Sequence, residues 1–303
     1  MNPVTNKIIE NLSQLILGKN EQLKLALCCL LSKGHLLIED LPGMGKTTLS
    51  HGLANVLGLS YQRVQFTSDL LPADITGSSI FNSQTHSFDF HPGPIFSQIL
   101  LADEINRASP KTQSALLEAM EEGQVTIDGQ THPLAQPFFV IATQNPLHQS
   151  GTHPLPESQL DRFFMRISLG YPDAQVEKSL IASGNKRTLN MNDLGCSISD
   201  EQLFEMQNAV MDVKLAEPIV QYILDLVSYT RDSGEFSDPL SPRASIALGL
   251  SARAYALISG RDYTLPDDVQ AVFGCVAGHR LNIPCSEQES AVEAIFERVV
   301  VPL

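Results

Sequence analysis

The chain has 303 residues, 43% of them hydrophobic and 18% charged, which suits one large globular core or two smaller ones and excludes extended disorder. Its 34 acidic residues against 20 basic ones give a formal net charge of -14, which opposes nonspecific attraction to phosphate backbones. No basic run exceeds the pair Lys186-Arg187, so nucleic acid is not the expected partner.

The opening MNPVTNKIIE lacks the charged head and apolar core of a signal peptide, and the longest apolar run, 25–31, is too short to span a bilayer, which points to the cytoplasm. Residues 20–32 read as an amphipathic helix and 36–38 as a buried strand. A Gly-rich turn and a helix from about Lys46 follow. Further buried strands are expected at 61–66, 99–102, 138–143 and 164–169, with helical patterns between several of them, so a parallel α/β sheet is implied.

Ser109-Pro110 supplies a cap and first-turn proline for a helix running to about Glu122. Residues 124–134 alternate apolar and polar around Asp128-Gly129, a strong hairpin signal, and a weaker one spans 75–90 with a polar tip at 82–87. Beyond about Pro172 the strand signal ends. Helical patterns at 200–212, 218–233, 242–259 and 266–276 predict an all-helical second domain. The expected division is therefore an α/β domain over 1–182, a polar linker over 183–199 and a helical domain over 200–303. Five cysteines, 28, 29, 196, 275 and 285, form no C-x-x-C pair and read as buried thiols.

The chemistry is concentrated at the strand ends. Asp40 to Thr48 contain the core of a P-loop between an expected strand and an expected helix. Its glycines, Gly43 and Gly45, would let backbone N–H groups of Gly43 to Thr48 approach the phosphates of ATP, with Pro42 before them and Met44 between them, and the helix dipole would favour the anion. Lys46 would reach the β- and γ-phosphates and the Thr47 hydroxyl would bind Mg2+, with Thr48 opening the helix. Asp40 stands where the usual pattern has glycine. The run Ile99-Leu-Leu-Ala-Asp-Glu104 ends a strand in two carboxylates: Asp103 to hold the metal, Glu104 to polarise the attacking water. Asn145, just past another buried strand, is placed to orient that water or to form a turn with Pro146. Arg162 and Arg243, taken alone, read as surface ion-pair residues. His148 and His153 read as loop residues, not catalysts.

In order, Glu39-Asp-Leu-Pro-Gly-Met-Gly-Lys-Thr47, Gln65-Phe-Thr-Ser-Asp-Leu-Leu-Pro-Ala-Asp-Ile-Thr-Gly77, Gly93-Pro-Ile-Phe96, Leu101-Ala-Asp-Glu-Ile-Asn-Arg-Ala108, Ala142-Thr-Gln-Asn-Pro146 and Leu155-Pro-Glu-Ser-Gln-Leu-Asp-Arg-Phe163 resemble the MoxR branch of the AAA+ ATPases over nearly the whole chain. In that branch Asp40 is usual. The resemblance implies a five-stranded parallel αβα core, a helical lid, and assembly as a homo-oligomeric ring of six, with ATP between subunits. It implies that Asn145 is sensor 1, Arg243 sensor 2 on the lid, and Arg162 the arginine finger for the next subunit, with Arg107 as the alternative finger. Residues 75–90 and 124–134 match the helix-2 insert and the pre-sensor-1 hairpin, facing the pore or a client. The function implied by the resemblance is chaperone-like remodelling of protein clients, metallocofactor enzymes among them, with a von Willebrand factor A domain partner. A nucleic-acid motor and a nucleotide-switched scaffold with little turnover are the competing classes; DNA-stimulated turnover and a turnover number separate them.

Overall fold

The computed structural model describes residues 3–145, 151–183 and 198–302. Pro146, His148, Lys186, Arg187, Cys196 and, but for its ends, the expected linker lie outside these residues. Two helices, α1 (Pro3–Leu15) and α2 (Asn20–Leu31), precede β1 (Leu36–Glu39); α3 (Lys46–Leu57) and β2 (Tyr61–Gln65) follow. The short α4 (Pro72–Thr76) leads into a hairpin, β3 (Gly77–Asn82) and β4 (Ser87–Pro92), then β5 (Ile99–Asp103) and α5 (Pro110–Glu122). A second hairpin, β6 (Gln124–Ile127) and β7 (Gln130–Pro133), precedes β8 (Phe139–Gln144), α6 (Glu157–Leu160), β9 (Met165–Ile167) and α7 (Ala174–Ser183). Among the described residues five further helices follow: α8 (Asp200–Asp212), α9 (Glu217–Asp232), α10 (Pro242–Ile258), α11 (Pro266–Ala277) and α12 (Gln288–Arg298).

All five expected strands pair in one parallel sheet, in the order β2-β5-β8-β1-β9. Period-two alternation gives the sheet its two faces. Leu36, Ile38, Ile99, Leu101, Phe139 and Ile141 join α1, α2 and α3 on one side. Leu37, Leu100, Ala102, Val140 and Ala142 join α5 on the other. The expectation of a buried strand at 61–66 needs correction, because β2 is an edge strand with Gln62, Arg63 and Gln65 exposed.

Both hairpins form. Asp128 (φ 51°) and Gly129 (φ 78°) both take positive φ, as a two-residue turn between right-twisted strands requires. Gly77 and Gly93 allow the base of the first hairpin to close: a Cβ at Gly77 would meet the His91 carbonyl oxygen at 2.3 Å, and one at Gly93 the Ile75 oxygen at 2.2 Å. The two hairpins touch through a stack of Phe90 on His132, with ring centroids 4.1 Å apart.

Among the helices of ten residues or more that are described, three went unforeseen. α1 buries Ile8, Ile9 and Leu12, yet its polar stretches mask that stripe; α7 and α12 are short and mostly exposed. Hydrophobic packing also runs across the expected domain division. The Gln207 side chain donates to the Leu30 carbonyl at 3.0 Å and the Cys28 thiol to the Ser251 carbonyl at 3.3 Å, so α2 lies against α8 and α10. Cys28, Cys29 and Cys275 are buried and free, and burial raises their thiols above the ordinary range. No helix among the described residues is long and apolar enough to cross a membrane.

Candidate active site

The turn after β1 is shaped by two glycines. Gly43 and Gly45 adopt φ of 87° and 90°, conformations L side chains rarely take, and a Cβ at either would project into open space. Gly45 begins α3 in the left-handed conformation, and among the described residues no side chain caps this helix. The first-turn N–H groups at Lys46, Thr47 and Thr48 are thus left for an external acceptor, the arrangement an anion needs. Pro42 lies in the same turn, and Met44 packs against the larger core cluster.

Asp40, where a glycine is usual, closes this loop from behind. Its buried carboxylate accepts from the Leu169 amide at 2.6 Å, the Ser168 hydroxyl at 2.8 Å and the Gly170 amide at 3.1 Å. Lys46 donates to the Asp40 carbonyl at 2.7 Å. Burial lowers the Lys46 ammonium pKa, opposed by the charges of Asp40, Asp103 and Glu104; both carboxylates at the end of β5 are thus within electrostatic reach of the lysine.

Those carboxylates are held by separate partners. Asp103 Oδ1 accepts the Thr143 hydroxyl at 2.6 Å, and Oδ2 accepts Arg63 Nη2 at 2.6 Å. Glu104 takes the left-handed conformation (φ 56°, ψ 50°), strain that persists only where neighbours over-determine it. Its amide donates to Thr143 Oγ1 at 2.8 Å. Its carboxylate accepts Gln65 Nε2 at 2.9 Å and pairs with Arg107 Nη1 at 3.2 Å. Asn145 follows Gln144, the last residue of β8, and, with Glu39 and Asn106, lines a recess of about 330 Å³ at the same sheet edge.

Arg162 and Arg243 gather elsewhere. Glu121 binds both: Oε1 accepts Arg243 Nη2 at 2.8 Å and Oε2 pairs with Arg162 Nη2 at 3.1 Å. The carbonyl of the adjacent Met120 lies 3.2 Å from Nε2 of His35, the residue before β1, whereas the P-loop begins where β1 ends. A strand rises ~3.3 Å per residue, so the two arginines sit at the opposite edge of the sheet from their own chain's P-loop. His153 donates its amide to the Asn106 carbonyl at 2.6 Å, as a loop residue does.

Thr143, Gln65, Arg63 and Glu121 escaped the sequence reading. Parallel register explains three of them: Gln65 pairs with Asp103, and Ala102 with Ala142, which sets Thr143 beside Asp103. Only the strand order carries that information. Glu121 had no signal, since one of two glutamates ending a helix is ordinary surface chemistry.

Residues 35–165 match the family described as ATPases associated with various cellular activities (AAA), and residues 230–299 match the AAA lid domain. Chaperone MoxR1 of Mycobacterium tuberculosis is 37% identical over 97% of this chain and 80% of its own length. The chain belongs to the MoxR family of AAA+ ATPases. Another relative, the uncharacterized protein YeaC of Bacillus subtilis, is 44% identical over 100% of the chain and 96% of its own length. A crystal structure of a Cytophaga hutchinsonii protein described as a candidate ATPase superposes with a TM-score of 0.89 at 36% identity, covering 99% of this chain and 96% of that one. The MoxR assignment accounts for the αβα core with a helical lid and makes the chain a nucleotide-binding ATPase.

Proposed function

We propose that the chain hydrolyses ATP with Mg2+ at the edge where β1 and β5 end. The observation that carries this reading is the convergence of Lys46 with Asp103 and Glu104, the latter on a strained backbone pinned by Thr143. The glycine turn fits a triphosphate, since the positions of both missing Cβ atoms are open. The donor set fits Mg2+ as well. Among the described residues no three His, Cys, Asp or Glu side chains form a metal cage, and Mg2+ typically takes one or two protein oxygens plus phosphates, here Asp103 and Thr47. Bound there, the metal would offset charge on the phosphates. Lys46 binds the β- and γ-phosphates, Glu104 accepts a proton from water, and Asn145 orients that water.

Arg162 and Arg243 complete a neighbour's site and not their own, because both face outward from the far edge of the sheet on Glu121. The chain therefore works as a homo-oligomeric ring, six-membered by family resemblance. Arg107 stays with its own Glu104. The functional division is an ATPase core over 1–182 and a lid over 200–303, with the linker at 183–199.

The work done is chaperone-like remodelling of protein clients in the cytoplasm, alongside a von Willebrand factor A domain partner, with metallocofactor enzymes as the clients. The first hairpin supports a protein ligand: Ile80, Phe81 and Phe88 are exposed on it, so the polar tip at 82–87 is flanked by apolar side chains that suit a polypeptide. Nucleotide binding and phosphate release by Lys46→Ala and Glu104→Gln test the core of this reading; equal hydrolysis in wild type and Glu104→Gln would refute it.

A further inference from the structure

A buried arginine outside the machinery described above ties three parts of the molecule together. Arg166 lies in β9, in register with Leu37, and its side chain is 6% exposed. Its guanidinium forks. Nη1 donates to Glu39 Oε2 at 3.2 Å, while Nη2 donates to the Ile283 carbonyl at 2.6 Å and to Gln288 Oε1 at 2.9 Å.

Glu39 ends β1 immediately before the P-loop, and its Oε2 also accepts Gln144 Nε2 at 2.9 Å, one residue from Asn145. Ile283 and Gln288 belong to the turn after α11 and the start of α12, in the lid. The lid is cut to present Gln288: a Cβ at Gly278 would meet Gln288 Oε1 at 2.5 Å, and one at Gly274 its Nε2 at 3.0 Å. Two glycines four residues apart, Gly274 on α11 and Gly278 at its C-cap, thus open a slot for one amide.

A buried ion pair is weak evidence for stability, since an apolar replacement often serves as well; its better-attested use is to fix one geometry. Here the planar fork fixes the P-loop strand, the Gln144-Asn145 strand end and the lid at one point. Resting on the ATPase reading, we propose that Arg166 is a positioning residue through which the lid sets the placement of Gln144-Asn145 at the γ-phosphate. Occupancy there is transmitted back to residues 283–288 by the same contacts, because coupling of this kind is reciprocal.

The test uses the full chain with ADP or a nonhydrolysable ATP analogue. Arg166→Lys keeps a charge for Glu39 but loses the fork, and Gln288→Ala removes one lid acceptor without leaving a buried charge. The double variant Glu39→Gln/Arg166→Met removes both charges and guards against misfolding of a half-pair. In wild type, amide exchange at 283–288 should differ between the two nucleotides. In all three variants that difference should vanish and kcat fall about tenfold, with nucleotide affinity changed by no more than about twofold. Parallel loss of affinity and kcat would make Arg166 merely structural and overturn the proposal, as would a nucleotide-dependent difference that survives in the variants. A wild type that hydrolyses ATP with no difference at 283–288 would sink this coupling alone; one that binds no nucleotide would sink the ATPase reading beneath it.

Discussion

Thr143 donates its hydroxyl to Asp103 Oδ1 at 2.6 Å, and Thr143 Oγ1 in turn accepts the Glu104 amide at 2.8 Å. One side chain on β8 thus sets the position of both acidic groups at the end of β5. Thr143→Val keeps the shape and removes the hydroxyl, leaving a buried N–H unmatched and a carboxylate short of a donor. We expect a stability loss of about 1–3 kcal/mol by urea unfolding and at least about a tenfold fall in phosphate release. Thr143→Ser should recover most of both. Full activity in Thr143→Val would show that Asp103 and Glu104 need no such support.

Lys46 and Glu104 separate binding from chemistry. Lys46→Ala should lose most ATP binding, because it removes the charge that bridges the β- and γ-phosphates. Glu104→Gln should hold ATP while phosphate release falls at least about a hundredfold, within the range of a lost general base.

The arginine pair on Glu121 gives a mixing test. Arg162→Ala and Arg243→Ala chains should each be inactive alone and each regain activity when mixed with Lys46→Ala, since some interfaces then join an intact pocket to intact arginines. Mixing Arg162→Ala with Arg243→Ala should restore less, because each interface takes both arginines from one chain. Full turnover by a monomer, independent of protein concentration, would return both arginines to surface roles.

His35 predicts a pH dependence. Burial lowers its pKa from 6.5 to about 4. Its Nδ1 accepts the Val140 amide at 3.0 Å, so Nε2 carries the proton and faces the Met120 carbonyl. The unfolded chain therefore takes up a proton before the folded one does, and this contribution to stability is lost as pH falls from about 6.5 to about 4. Burial shifts His279 in the same direction. His35→Gln should be less stable than wild type at pH 7.5, and the gap should narrow on acidification by at most about 1.4 kcal/mol per pH unit. Urea midpoints at pH 7.5, 6 and 5 measure it; a constant gap would mean that His35 does not titrate there.

Polynucleotides should leave the ATPase rate unchanged at physiological salt, because a chain of charge -14 has little with which to release counterions. A protein partner should change it instead. Phe81→Ser/Phe88→Ser should keep the basal rate and lose the partner's effect, since both rings are exposed on a hairpin remote in sequence from the P-loop. Several-fold, steeply salt-dependent stimulation by DNA would favour a motor.

The sequence by itself determined the five strands, both hairpins, four lid helices, the P-loop and the acidic pair. These are local signals: periodicity, Asp-Gly and Ser-Pro punctuation, glycines where φ must be positive, and motifs whose residues are adjacent in the chain. It missed α1, whose buried stripe of Ile8, Ile9 and Leu12 is spaced among polar residues and gains its partner only when α3 packs on it. Strand order decided the rest. Setting β5 between β2 and β8 brings Gln65 and Arg63 to the acidic pair from one side and Thr143 from the other, each across 40 residues of chain for Arg63 and Thr143 to Asp103. The return of α5 to the opposite sheet edge carries Glu121 to Arg162 and Arg243, and so directs them away from their own nucleotide turn. Arg166 reads in sequence as one more charge in a strand; only the packing of the lid turn against β9 gives its second nitrogen the Ile283 carbonyl and Gln288 as acceptors. Side chains that act through distant partners leave no local pattern, because hydrogen-bond geometry is fixed by tertiary packing and not by spacing along the chain.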